Sequence, residues 1–105
     1  MKEDINRVEL RGRIGSIRVN ESEGTALLSL ATNRVYKNRD GQAVIDTMWH
    51  SVRVNGEMTD LSALKKCGIA HVRGFLRLQR YTGMDGTLRE IMEVWATECE
   101  VENEE

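Results

Sequence analysis

Aromatic rings set beside cations are the residues of this sequence with the most chemistry to offer. Tyr36 stands among Arg34, Lys37 and Arg39, Trp49 precedes Arg53, Phe75 falls between Arg73 and Arg77, and Tyr81 follows Arg80. A flat ring can stack on an unpaired base while a neighbouring guanidinium or ammonium neutralises a phosphate, so the combination suits a single-stranded nucleic acid. The plainer account is ordinary charge on edge strands and solvated loops, with Phe75 filling a subunit contact.

Other chemistries find less support. His50, His71, Cys67 and Cys99 lack zinc-like spacing, so no metal is expected. Gly12 and Gly15 open no phosphate-binding loop, because neither GxxxxGK[ST] nor GxGxxG follows a strand into a helix. Asp40, Asp46, Glu90 and Glu93 read as turn or surface carboxylates with no acid–base pair among them, so neither an enzyme nor a cofactor is expected. The two cysteines read as reduced thiols that fill small apolar spaces.

With 105 residues, the chain has room for one domain, expected over 1–101 with a short acidic end at 102–105. It has no apolar run long enough for a membrane span, and the start MKEDINR lacks the apolar stretch of a secretory signal, which points to the cytoplasm. The net charge is −2, yet five of the 17 acids lie in the last eight residues, and residues 1–97 carry +3. A modestly basic body with an acidic end is compatible with a nucleic-acid site.

The elements that must position the rings are mostly strands. Residues 6–19 alternate, with Val8, Leu10 and Ile14 on one side, and Gly12 and Gly15 mark a bend or bulge. Residues 25–32 form a second strand. Residues 33–46 form a protruding basic hairpin around Asp40-Gly41, a favoured turn dipeptide, and residues 47–54 a third strand. Met58, Leu61 and Leu64 give residues 57–66 a helical spacing, with Lys65, Lys66 and Gly68 as its end signal. Residues 69–81 and 87–97 are two further strands around Asp85-Gly86. Three strands, a short helix and two strands, with a kinked first strand, match the OB-fold, an all-β five-stranded Greek-key barrel.

Because alternate strand residues face opposite sides, parity sorts the faces. Met48, Val52 and Val54 turn inward in the third strand, leaving Trp49, Ser51 and Arg53 outside. In the fourth, Val72, Leu76 and Leu78 turn inward and His71, Arg73, Phe75, Arg77, Gln79 and Tyr81 outward. Trp95 reads as core.

The segments Asn6-Arg-Val-Glu-Leu-Arg-Gly-Arg-Ile-Gly15, Ser29-Leu-Ala-Thr-Asn-Arg-Val-Tyr36, Asp40-Gly41, Trp49-His50 and Val72-Arg-Gly-Phe-Leu-Arg77 resemble, in order, the bacterial-type single-stranded DNA-binding protein family over residues 5–97. The resemblance implies base stacking by Tyr36, Trp49 and Tyr81, with tyrosine replacing the tryptophan frequent at the first and last positions. At Asn55 the family often has a DNA-contacting phenylalanine, so one platform is missing. The resemblance also places His50 at a subunit contact and implies a homotetramer, expected over a dimer, with first strands pairing between subunits. Family members typically continue through a linker to an acidic tip ending in Pro-Phe. This sequence has no proline, and recruitment of replication proteins by that route is not expected.

The function expected is sequence-independent coating of single-stranded DNA in replication, recombination, repair or plasmid transfer. Tyr36, Trp49, Tyr81 and Phe75 would stack, and Arg34, Lys37, Arg39, Arg53, Arg73, Arg77 and Arg80 would attract phosphates. The alternative is an OB-fold assembly module of the primosomal type that mainly binds proteins.

Overall fold

The computed structural model describes residues 2–102. Its first strand, β1 (Val8–Asn20), serves two neighbours: Val8–Arg13 pair with β4 (Ile69–Thr82), and from Arg13 onward β1 pairs with β2 (Thr25–Lys37). The changeover explains the glycines. A Cβ on Gly12 would lie 2.0 Å from the Ala31 carbonyl oxygen, and the register slips between Ile14 and Ser16, making Gly15 the bulged residue.

β2 pairs antiparallel with β3 (Ala43–Asn55), and β4 pairs antiparallel with β5 (Leu88–Glu102). A parallel contact of β3 with β5 completes a closed barrel in the order β1-β2-β3-β5-β4, the OB-fold architecture. Ile14, Leu28, Leu30, Val52, Val54 and Val72 are fully buried inside it.

Residues 57–66 do not form the expected helix. Only a single 3₁₀ turn, Leu61–Ala63, is present. The Asp60 carboxylate accepts from the Ser62 amide at 3.0 Å and its hydroxyl at 2.7 Å, a local arrangement that competes with helix propagation in so short a segment. The apolar spacing is used nevertheless, since Leu64 is buried and Met58 and Leu61 pack against the core.

The hairpin expected over 33–46 is a continuous ladder. It runs to Lys37↔Ala43, where the Asn38 side chain accepts from the amides of Asp40 and Gln42 and Gly41 takes a φ of +79°. β5 also runs further than expected. Glu102, assigned to the acidic end, still pairs with Ile69, and residues 103–105 lie outside the described residues.

The interior positions expected for Met48, Leu76 and Leu78 are corrected, because these side chains are 58%, 44% and 40% exposed. They lie where the β2–β3 and β4–β5 ladders leave the barrel and no opposing layer covers them. Cys99 is a core filler, whereas Cys67 is exposed at a φ of +69° and fills no apolar space. Among the described residues no helix is long and apolar enough to cross a membrane, and no group of three His, Cys, Asp or Glu could hold a metal ion.

Candidate nucleic-acid interface

Trp49 pairs across the ladder with Ala31 and stays 60% exposed. Its ring lies over β1 at Gly15, where a Cβ would come within 2.4 Å of the indole. The bulge glycine is therefore the seat on which one edge of the ring rests while the rest faces solvent. Tyr36 is 41% exposed, with the Arg34 guanidinium 5.0 Å from its ring centre. The unbroken β2–β3 register puts Tyr36 and Trp49 on opposite sides of that ladder. Tyr81, 48% exposed, projects from the outer side of the β4–β5 ladder opposite Arg89.

Between these arms lies a group that sequence parity had divided differently. Trp95 is not in the core. It lies half-buried on the outer face of β5, because Val94 and Ala96 take the interior. Phe75 pairs with it across β4–β5 and is half-buried against it, ring centres 6.4 Å apart at 38°. Glu93 is likewise no surface carboxylate, being 2% exposed. It accepts from Arg53 Nε and Nη2, both at 3.1 Å, and from Trp95 Nε1 at 3.1 Å. A buried carboxylate held by a two-pronged guanidinium contact and an indole N–H has its charge compensated. The guanidinium carbons of Arg77 and Arg53 lie 4.4 and 5.6 Å from the Trp95 ring centre. The signal was available in the sequence: Glu93 and Trp95 share one side of β5 with Ile91, opposite Met92 and Val94.

The expected phosphate contacts divide into two groups. Arg53, Arg73 and Arg80 are ion-paired within the chain, with Glu93, with Glu9 and Glu98, and with Glu90. Arg34, Lys37, Arg39 and Arg77 make no ion pair among the described residues. Arg73 belongs to a cluster with Glu9 and His71 on the outer side of β1 and β4. The hydrogen bond from His71, followed by the charge of Arg73, holds the Glu9 carboxyl below its usual range. His50 is half-buried, hydrogen-bonded to the Thr32 hydroxyl at 2.8 Å.

Comparison with known proteins adds an independent line. The model of the single-strand binding protein family matches residues 5–102. The chain is 32% identical to the single-stranded DNA-binding protein of Xylella fastidiosa strain Temecula1, covering 96% of this chain and 65% of that protein. It is 29% identical to that of Neisseria meningitidis serogroup A, with 92% and 59% covered, and 30% identical to single-stranded DNA-binding protein 1 of Xylella fastidiosa strain 9a5c, with 92% and 76% covered. The chain thus spans 65% and 59% of the length of the first two of these relatives. A Plasmodium falciparum SSB complex with ssDNA superposes with a TM-score of 0.74 at 23% identity, over 100% of this chain and 99% of that one. A small single-stranded DNA-binding protein from Streptomyces coelicolor gives 0.66 at 16% identity, over 91% and 93%. At these identities the two structures establish a shared fold.

Proposed function

This chain belongs to the single-strand binding protein family, and on that premise we propose that it coats single-stranded DNA without reading its sequence, as a non-enzymatic cytoplasmic protein. The observation that carries the reading is Trp49, a large ring 60% exposed on the outer side of β3 and supported from beneath by a glycine. An indole held this way costs solvation unless something stacks on it. Tyr81 extends the stacking surface along the β4–β5 arm, Tyr36 offers a separate ring on the other side of the β2–β3 arm, and Arg34, Lys37, Arg39 and Arg77 supply charge for phosphates. Duplex DNA, whose bases are already stacked, is a poor partner.

Titration with oligo(dT) at several salt concentrations, followed by tryptophan fluorescence, tests the reading. Quenching is expected, with affinity well above that for duplex of equal length. Equal affinity for the two would overturn it.

The assembly proposed is a homotetramer. One edge of β1 over Val8–Gly12 has no strand partner among the described residues, since β2 pairing begins at Arg13. That edge can accept the same segment of a second copy, with His50 contributing to the contact between subunits. Light scattering coupled to size exclusion should give four times the chain mass, and a monomer mass would refute the assembly.

A further inference from the structure

We propose that Arg77 and Trp95 form a stacking step for a nucleobase, in which the Arg77 guanidinium rests on the indole and offers its outer plane to the base. The proposal rests on the single-stranded DNA reading above and adds a residue pair to it.

Among the described residues β3 and β5 pair only at Val52↔Val94 and Arg53↔Trp95, and beyond this junction the β2–β3 and β4–β5 ladders part. Trp49 lies four residues from the junction on one arm, and Tyr81 four residues from Arg77 on the other, each about 13 Å at strand rise. A strand that follows the outer face down one arm from Trp49 and up the other to Tyr81 passes over the junction. The side chains it meets there are those of Trp95, Arg77 and Phe75.

The group at the junction is also rigid. The Trp95 N–H is fixed by Glu93, which is itself fixed by Arg53, so the ring cannot rotate freely. With the guanidinium carbon 4.4 Å from the ring centre, Arg77 already occupies one face of the indole, and it has no carboxylate partner among the described residues to pull it away. A guanidinium is planar and weakly hydrated over its faces, so it stacks on a ring and on a base at once, which an ammonium cannot do.

The test separates shape from charge. Wild type and the variants Arg77→Lys and Arg77→Ala are titrated by fluorescence anisotropy with labelled oligo(dT) and with an abasic oligomer of the same length. Circular dichroism confirms their folding, which the exposure of Arg77 should preserve. Arg77→Lys should lose about tenfold in affinity for oligo(dT), close to the loss in Arg77→Ala, while its affinity for the abasic strand stays near wild type. If Arg77→Lys binds oligo(dT) as wild type does, Arg77 acts through charge alone and the stacking step is refuted. If wild type itself binds oligo(dT) no better than duplex, it is the single-stranded DNA reading that fails. Equal losses by Arg77→Lys on both strands would also refute the step.

Discussion

At the scale of single residues, Trp49 and Gly15 act as one device. Trp49→Ala should weaken oligo(dT) binding by about 1–3 kcal/mol and leave the melting temperature nearly unchanged, because the ring contributes little to the core. Gly15→Ala should weaken binding in the same direction, since its methyl group would displace the indole. In a double-mutant cycle the effect of Gly15→Ala should vanish in the Trp49→Ala background, and additive losses would show that the two are independent. Strand parity makes Trp49, Arg53 and Tyr81 legible as outward residues. It does not reveal that Arg53 is engaged, because its partner Glu93 is 40 positions away in the chain. Trp95 was hidden for a related reason: flanked by Val94 and Ala96 it resembles core, and only its parity with a glutamate points outward. The thiols differ as plainly. A native-state titration with a thiol reagent should modify exposed Cys67 quickly and Cys99 slowly, the latter being buried with its pKa pushed upward by desolvation.

Elements were legible in kind but less so in length. Turn dipeptides and alternation locate all five strands, and the bend at Gly12 and Gly15 falls where the pairing of β1 changes hands. The ladders continue past the expected ends because cross-strand pairing, not local propensity, keeps polar stretches such as residues 33–37 extended. The 57–66 segment shows the converse, where apolar spacing persists while the Asp60 and Ser62 side chains take the backbone groups a helix would use. Glu93→Ala tests the junction of β3 and β5. It leaves the Arg53 guanidinium, a quarter exposed, without its partner and should cost about 3 kcal/mol, read as a lower urea midpoint. An unchanged midpoint would mean that the Arg53–Glu93 pair adds nothing to closure.

For the whole molecule, charge decides behaviour more than composition suggests. The sequence pI is about 5.7, yet Arg34, Lys37 and Arg39 on the β2–β3 arm and Arg77 beside Trp95 make no ion pair among the described residues. Binding should therefore weaken with salt, log K falling by about 0.7 per neutralised phosphate, and a Lys37→Ala, Arg39→Ala double variant should flatten the slope by up to about 1.4. Acid acts elsewhere. Glu9 and Glu102 lie below their ordinary value of 4.5, Glu9 through its hydrogen bond from His71 and Glu102 through that from Arg11. Asp60 and Asp85 lie below 3.8 through hydrogen bonds from Ser62 and Thr87. A carboxyl whose folded pKa is depressed adds stability above its unfolded pKa and loses it as pH falls through the folded one. The urea midpoint should hold steady above about pH 5 and decline below 4.5, and Glu9→Gln should make the decline shallower.

The two-pair contact of β3 with β5 also gives the barrel a clasp. A closed sheet fastened at one place by so few backbone bonds opens there before it unravels elsewhere, so amide hydrogen exchange at Val52, Arg53, Val94 and Trp95 should report a lower-energy opening than the β2–β3 ladder does. A strand lying over Trp95 bridges both sides of the clasp, and coating DNA would then keep the barrel itself shut.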